Sequence, residues 1–391
     1  VPSYKPAYGI GGPIESVHNL NVGLVKSGVE VTVFTTDFGI PSEIPRNAVV
    51  DQDGVKVIYF PLKFAPWFYS RDMHKLLAKH VSDFDLIHIT SVFLSASALG
   101  GFYARKRNIP YLISPRGSLM KKPLASKPLK KKFYLILESI NLEKADTVHF
   151  TTEIEKQEYD EVGLFYRNSV VIPNGFDPAE FDKFQLTYQP GSFRRKFNIP
   201  PESKVVLSLS RLNWVKGFDT LIPAFSEIAK AVPEAVLAIA GNDEKNYQKT
   251  IVSLISRYPS LKIGQNVIFT GQVLGEDKIG AYLDSDVFVL PSYSENFGQT
   301  VIEAMYLKKP VVITKQVGIA YEVNAAGAGE VIEKEPRQLT KAVLALLTNQ
   351  SRSKLTGEAG KKLVQDKFLM TKIIDRWIET YRQLIKNKTP I

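Results

Sequence analysis

Short apolar runs recur along the chain, separated by stretches in which apolar residues return every three or four positions. In the first half the runs are 29–36, 55–60, 86–90, 111–114, 147–151 and 170–172. They are rich in branched and aromatic residues and bounded by polar or turn residues, so they predict strands. Helical periodicity fills most of the gaps, as at 14–26 and 135–144. The second half repeats the pattern, with strands predicted at 205–210, 235–240, 267–270, 287–290, 311–314 and 330–332. Helices are predicted between them at 220–231, 276–284 and 300–307. Apolar strands alternating with amphipathic helices indicate parallel sheets covered on both faces. Two such blocks predict an α/β protein of two Rossmann-like domains.

Periodicity weakens where Tyr188-Gln189-Pro190-Gly191 and Asn198-Ile199-Pro200-Pro201 crowd turn residues together. This places an N-terminal domain at 1–185, a linker at 186–203, a second domain at 204–370 and a last helix at 371–391. A length of 391 residues suits two domains with separate cores. Val1-Pro2-Ser3-Tyr4 reads as the end of a strand, so a short preceding piece is expected.

Composition narrows the chemistry. With no cysteine, disulfides, thiolate metal sites and a thiol nucleophile are excluded, and a cytoplasmic protein is expected. No metal-ligand spacing appears among the five histidines. Asp83-Phe84-Asp85 and Asp284-Ser285-Asp286 have the look of a metal-binding acidic pair, but both precede apolar strands and read as caps and turns. Asp51-Gln52-Asp53-Gly54 reads as a hairpin-like turn. A net charge of +10 calls for an anionic partner, such as nucleic acid, an acidic membrane or a phosphorylated substrate. Part of that charge is the cluster Lys121, Lys122, Lys127, Lys130, Lys131 and Lys132. Two readings of the cluster stand: a solvated helix face, or a patch that holds the protein at the inner face of a membrane. No nucleic-acid motif accompanies the charge, so nucleic acid is not the expected partner.

The most informative segment is Glu295-Asn296-Phe297-Gly298, followed by Glu303 eight residues after Glu295. It lies between the strand predicted at 287–290 and a helix beginning near Gln299. Free amides at a helix start favour an anion, whereas carboxylates suit neighbouring hydroxyl groups. A ligand with phosphates and sugar hydroxyls, a nucleotide sugar, fits both. Ser210-Arg211 and Lys216-Gly217 lie on another strand-to-helix loop, where fixed cations can stabilise a leaving diphosphate. Asp219 is expected to cap the helix that follows. Gly241-Asn242 closes a third strand. Read singly, Arg211 and Lys216 are equally exposed loop cations, and Glu303 a first-turn carboxylate complementing the helix dipole. In the first half, Gly11-Gly12 opens a helix bearing His18, and Arg116 follows the strand at 111–114. His18 reads as a surface residue or a ligand contact, and Arg116 as a structural ion-pair member or an anion binder.

These residues in this order resemble glycosyltransferase family 4, the group 1 retaining enzymes of GT-B fold, and more narrowly its bacterial exopolysaccharide members. A cyanobacterial heterocyst envelope polysaccharide enzyme is the nearer likeness. The motifs are Glu295 with Glu303, Arg211-Leu212 with Lys216-Gly217, Pro173-Asn174-Gly175-Phe176-Asp177, and Gly11-Gly12. The resemblance implies two domains facing a cleft and a C-terminal helix crossing back to the N-terminal domain. It implies a metal-independent, cofactor-free transfer of a hexose from a donor such as UDP-glucose to a polysaccharide or lipid-linked acceptor. Catalysis would involve Glu295, Arg211, Lys216 and Arg116. The donor would meet Gly11, Gly12, Arg211, Lys216, Gly241, Asn242, Glu295, Asn296, Phe297, Gly298 and Glu303, with Glu303 on the ribose. The acceptor would meet Arg116 and His18. Many members carry histidine at the positions of Arg116 and Thr90, which puts a histidine-centred mechanism in doubt here. An epimerase or hydrolase on the same fold, and a non-catalytic nucleotide-sugar-binding subunit, are the competing readings.

Overall fold

The structure is a computed structural model, and it describes residues 1–7, 12–120 and 138–388. The chain divides into two compact units, one of Val1–Gly175 with Met370–Ile391, the other of Phe176–Leu369.

The first unit holds strands β1 (Thr32–Thr36), β2 (Val49–Gln52), β3 (Val55–Phe60), β4 (Ile87–Thr90), β5 (Tyr111–Ser114), β6 (Thr147–Phe150) and β7 (Ser169–Val171). They form a three-stranded sheet, order β1-β3-β2, and a four-stranded sheet, order β4-β5-β6-β7. All pairs are parallel except β2 with β3. The periodicity missed β2 because it is a half-polar, largely exposed ribbon without an apolar run. Its connection is the turn expected at 51–54, where Asp51 Oδ1 accepts the Gly54 amide at 3.0 Å.

The C-terminal helix Met370–Lys388 belongs to this unit, as expected. It buries Met370, Ile373, Ile374 and Trp377 with Leu20, Leu24, Leu112 and Ile172. Gly23 gives it room: a Cβ there would stand 2.7 Å from the Ile374 side chain.

The second unit holds β8 (Lys204–Leu209), β9 (Ala235–Ala240), β10 (Val267–Gly271), β11 (Val287–Leu290), β12 (Val311–Thr314) and β13 (Gly329–Ile332). They form one parallel sheet, order β10-β9-β8-β11-β12-β13. Every residue of β9, β11 and β12 is buried, which is why these strands read as unbroken apolar runs. The strand order reverses between β8 and β11, the switch point where ligands gather in such sheets.

The linker expected at 186–203 is not a linker. The structural boundary falls between Gly175 and Phe176. Helices Ala179–Thr187 and Ser192–Lys196 pack on the second unit and bury Phe181 and Phe193 in its core. Turn-forming residues there serve a tight corner, while the aromatic residues between them anchor it. Asp284 holds the corner, accepting from Tyr188 Oη at 2.8 Å and from the Gly191 and Phe193 amides at 2.9 and 3.1 Å. Asp286 accepts the Val205 amide at 2.8 Å and pairs with Arg194 at 3.2 Å. The Asp284-Ser285-Asp286 pair is therefore structural, as its position before a strand implied.

Candidate active site

At the switch point, the loop after β8 makes a short turn at Trp214–Lys216, capped by Asn213, whose Oδ1 accepts the Val215 amide at 3.1 Å. Gly217 then takes φ 73° and starts helix Phe218–Ala231. A Cβ on Gly217 would lie 1.9 Å from the Pro291 carbonyl oxygen, so this loop presses directly on the one after β11. The Val215 carbonyl accepts the Tyr293 amide at 2.7 Å and ties the two loops again. The result is an ion pair between Lys216 Nζ and Glu295, with side chains 11% and 22% exposed. Asp219 does not cap its helix. Gly217 occupies that place, and Asp219 accepts a hydrogen bond from Tyr293 Oη.

Beside this pair, Gly241 ends β9 so close to β8 that a Cβ would lie 1.8 Å from the Ser210 carbonyl oxygen. The Asn242 carbonyl accepts the Leu212 amide at 2.8 Å. Arg211, half exposed, pairs with Glu244 at 3.2 Å, and Glu244 also accepts from Asn213 Nδ2 at 2.7 Å. The C-terminal ends of β8, β9 and β11 thus gather Arg211, Lys216, Gly241, Asn242, Glu295, Asn296 and Gly298 on one side of the sheet.

Helix Gln299–Tyr306 begins at Gly298, which has φ 100°. Its first amides have no partner within the helix and present partial positive charge beside Lys216. Among the described residues, Ser292 Oγ and Gln299 Oε1 are buried here without a hydrogen-bond partner. Phe297 is 3% exposed and packs its ring 5.8 Å from Phe368, so only its backbone remains for a ligand.

Glu303 departs from expectation. It lies in the second turn and is 5% exposed, so it does not complement the first turn. Its Oε1 accepts from Lys278 Nζ at 2.7 Å and its Oε2 from Tyr282 Oη at 2.8 Å. Burial, then the adjoining carboxylate, pushes the Tyr282 phenol well above its ordinary value, which keeps it a donor.

In the first unit, Arg116 has φ 53° and donates from Nη1 to Asn174 Oδ1 at 2.5 Å. Glu155 fixes the turn beneath it, accepting the Gly117 amide at 2.5 Å and the Thr151 amide at 2.7 Å. Among the described residues Arg116 Nε is buried without a partner, and the side chain borders an apolar cavity of about 190 Å³ with Ile14, Val17, Phe68 and Leu94.

Beside Arg116 runs a chain of hydrogen bonds, buried at His149 and Ser114 and half-buried at His88 and Tyr381. His149 Nε2 must donate to the Ile172 carbonyl at 2.8 Å, so its Nδ1 accepts from Ser114 Oγ at 2.8 Å. Ser114 Oγ then accepts from His88 Nε2 at 2.7 Å, and His88 Nδ1 accepts from Tyr381 Oη at 2.7 Å. Every partner is neutral in this arrangement. Burial, helped by the charge of Arg116, lowers His88 to about 3 and holds His149 well below its usual range.

His18 is neither a surface residue nor free for an acceptor. It is 2% exposed, with Nδ1 3.1 Å from Tyr4 Oη and Nε2 2.8 Å from Asp53 Oδ2. Nε2 ties the β2–β3 turn to the first helix through Asp53, and Nδ1 ties the N-terminal segment to it through Tyr4. Burial lowers its pKa. Gly12 is the first residue of helix Gly12–Lys26, while Gly11 and the lysines of 121–132 lie outside the described residues.

The sequence did not single out Lys278, Tyr282, Glu244 or Ser114. Lys278 and Tyr282 carry a signal in hindsight, being one helical turn apart on the same face.

Comparison with known proteins places these features. The chain matches the Glycosyl transferase 4-like domain over residues 11–175 and the Glycosyl transferases group 1 family over residues 191–363. Mannosylfructose-phosphate synthase of Agrobacterium fabrum is 29% identical over 334 residues, spanning 79% of this chain and 72% of that protein. Sucrose-phosphate synthase of Thermosynechococcus elongatus superposes with a TM-score of 0.74 at 24% identity, over 96% of this chain and 94% of that one. Anabaena HepE, solved in complex with UDP-glucose, gives a TM-score of 0.74 at 18% identity, over 98% of each chain. The chain belongs to the group 1 glycosyltransferases of family 4, built on the GT-B fold.

Proposed function

We propose that this glycosyltransferase moves a hexose from a nucleoside diphosphate sugar, a UDP-hexose such as UDP-glucose, to a saccharide acceptor, with retention and without a metal ion. The observation that carries this reading is the Lys216–Glu295 pair at the open end of helix Gln299–Tyr306, with Arg211 on the same loop as Lys216. As the bond from sugar C1 to the diphosphate oxygen breaks, negative charge grows on the leaving group. Fixed cations and helix amides stabilise that charge without reorganising. The acceptor hydroxyl forms its bond to C1 on the same face, and its proton passes to the departing diphosphate. Glu295, Asn296 and Gly298 hold the hexose, Gly241 and Asn242 approach the nucleotide, and Glu303 binds the ribose. The family resemblance assigns Gly11 and Gly12 to donor binding as well. HepE binds UDP-glucose on the same fold, which favours a uridine donor.

The first unit takes the acceptor, with Arg116 as its cation. A polysaccharide or lipid-linked saccharide of a bacterial exopolysaccharide, of the heterocyst-envelope kind, is the acceptor class proposed. Lys121, Lys122, Lys127, Lys130, Lys131 and Lys132 would hold the protein at an anionic cytoplasmic membrane surface. Among the described residues no helix is long and apolar enough to cross a membrane.

The test is a thermal-shift panel of nucleotide sugars, followed by nucleoside diphosphate release with candidate acceptors. Lys216→Ala should lower turnover by about a hundredfold or more while the protein still unfolds cooperatively. Arg116→Met should cut transfer but leave nucleotide affinity within about threefold, since only the acceptor meets it. Near-wild-type turnover in Lys216→Ala would refute the donor assignment, and donor conversion without any acceptor would favour an epimerase or hydrolase.

A further inference from the structure

Glu303 is a buried carboxylate whose two oxygens are already bonded, which a simple ribose receptor would not require. Its partners come from one helix, Gly275–Leu283, which reaches the site from the C-terminal end of β10. Lys278 and Tyr282 lie one turn apart on that helix, so a single surface presents an ammonium to Oε1 at 2.7 Å and a phenol to Oε2 at 2.8 Å. The helix itself is locked. A Cβ at Gly280 would stand 2.9 Å from the Tyr188 ring, and Asp284 just beyond it binds Tyr188 Oη at 2.8 Å.

We infer that Lys278 and Tyr282 are positioning residues for the nucleotide ribose, setting the orientation of Glu303 and making the site depend on the 2′-hydroxyl. This rests on the donor role proposed for the second unit. A carboxylate offers about four acceptor positions, of which these two bonds occupy two. One position remains on each oxygen, and a vicinal diol matches that pair. The diol therefore meets the two open acceptor positions of a carboxylate whose plane is fixed in advance by Lys278 and Tyr282. Without Lys278 the 5% exposed carboxylate loses its charge partner and turns toward other donors. A deoxyribose leaves the Glu303 acceptor unmatched in a site with little water, which is what produces discrimination.

Calorimetric titration of the full chain with UDP and with 2′-deoxy-UDP tests this. The wild type should prefer UDP by about tenfold to hundredfold. In Lys278→Met, UDP affinity should drop about tenfold while 2′-deoxy-UDP affinity changes little, so the preference also falls about tenfold. Tyr282→Phe should lower the preference in the same direction by about threefold, and it decides the matter if Lys278→Met does not fold. A purely structural ion pair would lower the melting temperature and weaken both nucleotides equally. A folded variant that keeps the wild-type preference, or a wild type that binds UDP without preference, overturns the inference alone. A wild type that binds neither nucleotide overturns the donor reading and the inference with it.

Discussion

Replacing Gly217 by alanine asks whether the loops carrying Lys216 and Glu295 are held together by backbone contact. Gly217 has φ 73°, and an added Cβ would stand 1.9 Å from the Pro291 carbonyl oxygen and 2.9 Å from its carbon. Ordinary contact begins at 3.4 Å, so the loops must separate by roughly 1.5 Å (3.4 − 1.9). A left-handed backbone by itself costs alanine about 1–2 kcal/mol. Forcing packed backbone apart adds about 1–3 kcal/mol, giving a total of about 2–5 kcal/mol. Gly264 supplies the comparison, because it has φ 81° and nothing within 4 Å of an added Cβ. Its alanine variant bears the backbone cost alone. For a unit of this size each kcal/mol moves the melting temperature by about 2–4 °C, so Gly217→Ala should melt about 2–12 °C below Gly264→Ala. The separation also pulls Lys216 from Glu295, so UDP-hexose affinity should fall in Gly217→Ala and hold in Gly264→Ala. Scanning calorimetry and nucleotide titration measure both. Equal melting temperatures, or an unchanged affinity in Gly217→Ala, would refute the reasoning.

Two further outcomes concern the first unit. Trp377 is 1% exposed and packs its ring 5.0 Å from His88 and 4.5 Å from His149, so Trp377→Ala should cost about 3–5 kcal/mol in urea unfolding. Trp214→Ala, at a 55% exposed position, should cost far less, and equal losses would contradict the docking of the C-terminal helix. The histidines held neutral beside Arg116 set a pH dependence. His88 falls from 6.5 in the unfolded chain to about 3 in the folded one, so between these values the unfolded state binds the extra proton. Stability is complete above pH 6.5 and is lost as pH falls toward 3, at up to about 1.4 kcal/mol per pH unit for each such histidine. His88→Gln should flatten the slope of unfolding free energy between pH 6.5 and 4.5, and an unchanged slope would show that His88 is not held neutral.

The core strands were legible because full burial on both faces writes itself as unbroken apolar runs, as in Ala235–Ala240 and Val311–Thr314. β2 was not legible, since an exposed edge ribbon carries no apolar run. The boundary at Gly175 was missed for a related reason. Composition records turn propensity at 186–203, but whether a turn-rich segment packs depends on what surrounds it, here Asp284 and the pocket for Phe193. The motif segments marked the loops of the second unit, but they did not give the state of the side chains. Glu303 looked like a first-turn carboxylate and is a buried second-turn one, and His18 looked like a surface residue or ligand contact and is committed at both nitrogens.

By itself the sequence determined the fold class, the two-block organisation and the strand-to-helix loops that carry Arg211, Lys216 and Glu295. These follow from local rules, because strand and helix periods, glycine and charge are properties of short segments. Only the tertiary structure decided which side chain each cation meets. Lys216 finds Glu295, Lys278 finds Glu303 and Arg116 finds Asn174 across 79, 25 and 58 residues of chain. Such pairings depend on strand order and on the backbone approach that Gly217 and Gly241 allow, and no pattern within a single segment encodes them.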